Sequence, residues 1–288
     1  MILITGGTGT TGTDIIRQLA EAGARDVRAL VRDPGKAEFI RDAGFEVVRG
    51  DFERPETLDA ALEGVERALL LTAPDPRTVE HQARFIEAAK RAGTRHVVKF
   101  SAIGADASAR GGFAKWHGEV EEQLKTSGIA YTMLQPNSFM QNLLGSAGQI
   151  AGQGLIYQPV GDAKASFVDT RDVAAVAARV LTEDGHEGKS YVITGPEALS
   201  YHDVAAKLSE ATGKQVTYVP ISPEDFRVGA LAQGLPEWLV DALGLLNETL
   251  ASGEWAAVTD VVREVCGKEP RTFGQFARDY TTAFKGEG

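Results

Sequence analysis

Met1-Ile-Leu-Ile-Thr-Gly-Gly-Thr-Gly-Thr-Thr-Gly12 decides the fold. Ile2 to Ile4 is a short apolar, β-branched run of the kind that forms a buried strand. It leads straight into Gly6, Gly7, Gly9 and Gly12. Behind them Ile15, Ile16, Leu19 and Ala20 recur at helical spacing, and Gly23 stands where a helix takes its C′ residue. Strand, glycine turn and helix in that order are the setting of a dinucleotide fingerprint. The spacing fits G-x-G-x-x-G through Gly7, Gly9 and Gly12, and G-x-x-G-x-x-G through Gly6, Gly9 and Gly12. A turn this tight needs positive φ, and the backbone must come close to a pyrophosphate that the free N–H groups of the helix attract. Gly6, Thr8, Gly9, Thr10, Thr11 and Gly12 are the expected phosphate cradle. The alternative is an ordinary glycine-rich βα turn in another α/β fold.

The second strand, Val27 to Val31, is followed by Arg32 and Asp33. An acid at this distance from the glycines binds a ribose 2′-hydroxyl, whereas a guanidinium suits a 2′-phosphate. Arg32, with Lys36 as a second cation, favours NADP(H). NAD(H) is the alternative, with Arg32 solvated and Asp33 on the ribose. After the third strand, Phe45 to Arg49, come Asp51 and Phe52. Asp51 is placed either to accept from the adenine amino group or to cap the following helix, Pro55 to Leu62. The fourth strand, Arg67 to Leu71, ends in Thr72-Ala-Pro74, a stiff loop expected under the cofactor. A helix from Glu80 to Ala92 leads to the fifth strand, His96 to Ser101, and a helix from Phe113 to Thr126 leads to the sixth, Ala130 to Leu134.

Strands alternating with helices predict an α/β fold: a Rossmann-type, doubly wound parallel sheet of about seven strands, with Ser190 to Thr194 as the seventh. Residues 1–136 and about 165–195 are expected to form the dinucleotide-binding domain. Residues 137–164 and 196–288 are expected to form a smaller, mostly helical substrate lobe, interleaved with the sheet. Its short strands are expected at Ile156 to Gln158, Ser166 to Val168 and Val216 to Val219. Thr170, Ser200, Ser222 and Thr272 are expected helix caps, the last opening a final helix that runs through Phe284.

The chain has 288 residues, 43% hydrophobic and 24% charged, with net charge −10. That acidity argues against direct contact with nucleic acid. Cys266 is the single cysteine, so no intrachain disulfide or cysteine-based metal site exists, and no metal is expected. No run has the length of a membrane span, and the first strand begins at once, so the expectation is a cytoplasmic protein, monomer or homodimer.

Thr5-Gly-Gly-Thr-Gly-Thr-Thr-Gly12, Ala29-Leu-Val-Arg-Asp33, Gly50-Asp-Phe52, Val98-Lys-Phe-Ser101, Tyr131-Thr-Met-Leu-Gln-Pro136, Phe139-Met-Gln-Asn142 and Phe167-Val-Asp-Thr-Arg-Asp172 resemble the NmrA-like branch of the atypical short-chain dehydrogenase/reductases. Within it the likeness is nearest to NADPH-dependent quinone and triphenylmethane-dye reductases. The larger superfamily uses a serine with a Tyr-x-x-x-Lys pair. The resemblance puts Ser101 near the serine, but the pair falls on Phe113 and His117. Ser101 and His117 are therefore the candidate catalytic residues, and both are expected to touch the cofactor, as are Gln135, Pro136 and Asn137. His117 is placed to bond the nicotinamide ribose or act as an acid; otherwise it pairs with Glu121, one helical turn on.

Ketone reduction needs a placed proton donor, which a phenylalanine cannot supply. A quinone or extended conjugated cation spreads charge and mainly needs close stacking in a dry pocket. The resemblance thus implies hydride transfer to a small quinone-like or conjugated aromatic acceptor. A dinucleotide-sensing regulator and a tailoring enzyme of aromatic metabolite synthesis are the alternatives. Trp116, Phe139, Met140, Asn142, Tyr157 and Trp238 are the expected substrate contacts, with Asn137 and Gln141 as further amide donors.

Overall fold

The computed structural model describes residues 1–287. The chain runs β1 (Ile2–Thr5), α1 (Thr10–Glu21), β2 (Val27–Val31), α2 (Glu38–Asp42), β3 (Glu46–Arg49), α3 (Pro55–Leu62), β4 (Arg67–Leu70), α4 (Thr78–Ala92), β5 (His96–Phe100), α5 (Gly112–Thr126) and β6 (Ala130–Pro136). It continues through α6 (Ala147–Gln153), β7 (Leu155–Gln158), α7 (Thr170–Thr182), β8 (Lys189–Ile193), α8 (Tyr201–Thr212) and β9 (Thr217–Pro220). Helices α9 (Pro223–Ala232), α10 (Glu237–Ser252), α11 (Val261–Cys266), α12 (Phe273–Asp279) and α13 (Thr281–Lys285) complete it. Two compact units result.

The first unit comprises Met1–Ala109, Ala114–Gln135 and Val173–Val192. Its seven-stranded sheet has the order β3-β2-β1-β4-β5-β6-β8. The pairings from β3 through β6 are parallel, with Leu3 opposite Arg28 and Ala68, and Lys99 opposite Met133. Helical crossovers cover both faces, so the central strands are apolar on both sides: Leu3, Ile4, Leu69, Val97 and Val98 are wholly buried. The order reverses between β1 and β4. In a doubly wound sheet that reversal opens a crevice at the carboxyl ends of the strands, where ligands bind.

The second unit comprises Arg110–Phe113, Pro136–Asp172 and Ile193 onward. Residues 165–172 therefore fall here and not with the sheet. Its core is aromatic: Phe273 and Phe276 pack at 5.4 Å, and Tyr201 lies 5.5 Å from both Phe167 and Tyr218. Strands β7 and β9 form a separate parallel pair. Ser200 and Thr272 each close a reciprocal capping box, and Ser222 caps α9 with Pro223 at its first position.

Two expectations for this unit change, and one stretch gains structure. Ser166 to Val168 forms no strand, because its backbone is claimed elsewhere: Ser166 N–H donates to Trp255 O and Val168 N–H to Ser138 O, both at 3.0 Å. The final helix breaks at Tyr280 into α12 and α13. Residues 140–153, for which the sequence predicted no element, form a 3₁₀ segment (Met140–Ser146) and α6.

Candidate active site

The glycine turn joins β1 to α1 at the crevice. Gly6 has φ +68°, a conformation that strains a side chain, and a Cβ on Gly12 would stand 2.0 Å from Gly6 O. The turn closes with Gly9 N–H donating to Gly6 O at 3.0 Å, and the helix starts with Thr13 N–H on Gly9 O at 2.8 Å. Gly9 is the N-cap of α1 and offers no side-chain acceptor, and the first turn carries no acid. The initial N–H groups are thus left to an anion, which is the fit a dinucleotide pyrophosphate needs. Thr5 holds the neighbouring strand end in place. Its hydroxyl, wholly buried, shares its one hydrogen between Leu69 O on β4 (3.0 Å) and Leu71 O just beyond it (2.8 Å), and accepts Leu71 N–H at 2.9 Å.

Beyond β2, Asp33 turns back on its own chain and accepts Gly35 N–H at 3.0 Å, capping the 3₁₀ turn Pro34–Lys36. Arg32 and Lys36 are exposed, and Arg32 has no hydrogen bond or ion pair with any described residue. Asp51 is half-buried; its Oδ1 accepts Glu53 N–H at 3.0 Å, and its backbone N–H donates to Thr57 Oγ1 at 2.9 Å. The capping role of Asp51 thus takes one carboxylate oxygen. Phe52 stacks 5.7 Å from Phe85 and packs on the core, so its ring is a wall element at most. Thr72 Oγ1 accepts Gln82 Nε2–H at 2.7 Å, and Ala73 and Pro74 are exposed on the loop after β4.

At the ends of β5 and β6 the structure builds a polar cluster on α5. Ser101 is 2% exposed; its Oγ–H donates to Glu121 Oε1 at 2.6 Å. Gln135 Nε2–H donates to the same oxygen at 2.8 Å, and Lys125 Nζ lies 3.6 Å from Oε2. Glu121 therefore belongs to Ser101, Gln135 and Lys125, and the alternative pairing with His117 does not form. The partner of His117 is Lys99, a residue to which sequence reading gave no role. Lys99 lies on β5, wholly buried, with Nζ 2.9 Å from His117 Nδ1 and a second hydrogen bond to Phe100 O. Burial pushes the Lys99 ammonium down to about 7, against the pull of Glu121. Burial, and then the Lys99 charge, hold His117 well below its usual value. The signal for Lys99 was a lysine inside an otherwise apolar central strand. Trp116 is half-buried on the same helix.

In the second unit several expected contacts are spent on structure. Asn137 is 2% exposed: its Nδ2 donates to Ser166 Oγ at 2.8 Å and Trp255 O at 2.9 Å, and its Oδ1 accepts Ser138 N–H at 2.7 Å. It has no donor left for a cofactor or carbonyl. Gln141 is likewise held, by Asp169 Oδ1 at 2.9 Å and Thr170 N–H at 3.0 Å. Met140 is wholly buried and is a core side chain, not a pocket wall. Pro136 is buried, whereas Phe139, Tyr157 and Trp238 are half-buried and Asn142 is exposed. Asp172 accepts Arg271 N–H at 2.6 Å and pairs with its guanidinium, strapping two distant stretches of this unit together. Among the described residues no helix is long and apolar enough to cross a membrane, and no acid, histidine and cysteine cluster could hold a metal.

The model of the NmrA-like family matches residues 1–277. The chain is 43% identical to the NAD(P)H azoreductase of Xenophilus azovorans over 284 residues, 99% of each chain. It is 38% identical to quinone oxidoreductase 2 of Escherichia coli, covering 84% of this chain and 85% of that one. Among solved structures, it matches the NADPH-dependent quinone oxidoreductase of Escherichia coli complexed with NADPH at TM-score 0.90 and 33% identity, over 97% of this chain and 99% of that one.

Proposed function

Because the chain belongs to the NmrA-like family, we propose that it is an NADP(H)-dependent oxidoreductase that reduces a quinone-like or conjugated aromatic acceptor. The observation that carries this reading is the anion seat at α1, with Arg32 beyond β2 exposed and unpaired among the described residues. NADP(H), when bound, supplies a hydride. The first N–H groups of α1 hold its pyrophosphate, and Arg32, with Lys36 near it in sequence, meets a 2′-phosphate. Gly35 N–H takes one oxygen of Asp33, the acid that would favour an unphosphorylated ribose. The azoreductase and quinone oxidoreductase relatives support a conjugated acceptor.

Phe113 in place of the superfamily tyrosine leaves no phenol to protonate a ketone oxygen. His117 is the protic group that remains on that helix face, one turn on. Its Nδ1 is fixed by Lys99, and its Nε2 makes no hydrogen bond with any described residue. It can therefore offer a proton to a reduced acceptor or a hydrogen bond to a ribose. The first unit would serve the nucleotide.

The test is NADPH consumption by the purified protein with a panel of quinones, triarylmethane dyes and azo dyes. Turnover with at least one class, faster with NADPH than with NADH, is the expected result. Tight NADP⁺ binding without turnover on any acceptor would overturn the enzyme reading in favour of a dinucleotide sensor.

A further inference from the structure

The geometry points to Lys99 as a proton store behind His117: it fixes the imidazole tautomer and refills Nδ1 when Nε2 gives its proton away. This inference rests on the reductase reading above. Two nitrogens 2.9 Å apart share one proton between them. When Lys99 is an ammonium it donates to Nδ1, so the neutral imidazole carries its own hydrogen on Nε2. That nitrogen has no partner among the described residues, and His117 is half-buried. Both residues lie at the carboxyl end of the sheet, where an open α/β fold places its ligands.

The charges around the pair support this division of labour. Glu121 is the acid that acts on Lys99, and its Oε1 is committed to Ser101 and Gln135. Lys99 therefore has no direct carboxylate partner among its hydrogen bonds, which are His117 and Phe100 O. The other charged group on this face of α5, Lys125, lies on the far oxygen of Glu121. An unpaired ammonium in a wholly buried position gives up its proton readily. His117 is too hard to protonate to act as an imidazolium, so it must work as a neutral donor backed by a second group.

The step balances as follows. The acceptor takes a hydride, with its electron pair, and becomes a hydroquinone monoanion. The His117 Nε2–H bond breaks and its proton joins the anionic oxygen. A Lys99 N–H bond breaks and that proton joins Nδ1. The imidazole is neutral before and after, with its tautomer exchanged, and Lys99 is left as an amine. Solvent protonates Nε2, and the Nδ1 proton returns to Lys99.

Two classes of acceptor separate this role from a structural one. A quinone needs a proton after the hydride; a triarylmethyl cation accepts the hydride alone and becomes neutral. Wild-type quinone turnover should fall as pH rises through about 7, where Lys99 loses its proton. Lys99→Met should erase that inflection and lower the ratio of quinone to dye turnover about tenfold or more, the scale of a lost acid. Equal loss with both acceptors, or an unchanged inflection, would overturn the inference. Nitrogen-15 NMR of His117 in the wild-type protein without nucleotide needs neither a variant nor turnover. It should show the Nε2–H tautomer at acid pH and an Nδ1 signal that shifts with the Lys99 midpoint. An Nδ1–H tautomer, or an Nδ1 signal that stays flat across that range, would overturn the inference. Failure of turnover with every acceptor counts against the reductase reading and leaves the NMR outcome to decide the pair.

Discussion

Asp33 accepts the backbone N–H of Gly35 at 3.0 Å, which commits one of its two carboxylate oxygens to its own turn. Arg32 beside it has no ion pair or hydrogen bond with any described residue. Arg32→Ala should therefore raise the NADPH dissociation constant by an amount worth ~1–3 kcal/mol, the scale of one charge-assisted hydrogen bond. NADH binding should barely change. Fluorescence titration with both nucleotides checks this, and equal losses would remove the NADP(H) preference.

Gly12 packs against Gly6 so closely that a Cβ would overlap its carbonyl oxygen at 2.0 Å. Relief requires α1 to move away from the turn, and the N–H groups move with it. Gly12→Ala should cost ~1–3 kcal/mol of stability as an overpacked site and should weaken both nucleotides alike. Urea unfolding and nucleotide titration measure the two effects separately.

Asp169 is wholly buried, and Arg171 forks onto it at 2.6 and 2.8 Å while also reaching Asp279 at 2.7 Å. Burial raises the Asp169 pKa, but the Arg171 hydrogen bonds outweigh it and the net shift is downward. A carboxylate with a depressed folded-state pKa stabilises above its unfolded value, about 3.9, and loses that contribution as pH falls through the folded value. Arg171→Ala should cost ~3–5 kcal/mol near neutral pH by stranding the buried charge. The deficit should shrink as acid protonates Asp169, which unfolding curves at a series of pH values will show.

Met140 and Phe139 are neighbours with different fates: the first is wholly buried, the second half-exposed. Met140→Ala should lower stability by ~2–5 kcal/mol, as other large-to-small core changes do. Phe139→Ala should cost less stability and raise KM for a flat aromatic acceptor. Thermal unfolding set beside acceptor kinetics distinguishes them; a Met140 variant with native stability and a raised KM would return that residue to the pocket.

What could be read from the chain was whatever is encoded locally. Ile2 to Gly12 carries its own strand, turn and helix start, and the caps Ser200, Ser222 and Thr272 announce themselves within four residues. Partners distant in sequence were hidden. Glu121 sits one turn from His117, which suggested a pair, yet its hydrogen bonds go to Ser101 and Gln135 on other elements. Asn137 looked free to bind a ligand because Trp255 O, which claims it, is 118 residues away. Lys99 was visible as a charge within an apolar strand, but its meaning depends on which ring the fold brings to it.

The buried hydroxyl of Thr5 has one more consequence. Because it binds the Leu69 and Leu71 carbonyls while accepting Leu71 N–H, the floor beneath the glycine turn is cross-braced by the chain itself. A guest arriving there finds a rigid berth, so little ordering entropy is charged at docking. Capture should then run at the pace of diffusional encounter, with a heat-capacity change no larger than the contact area itself demands.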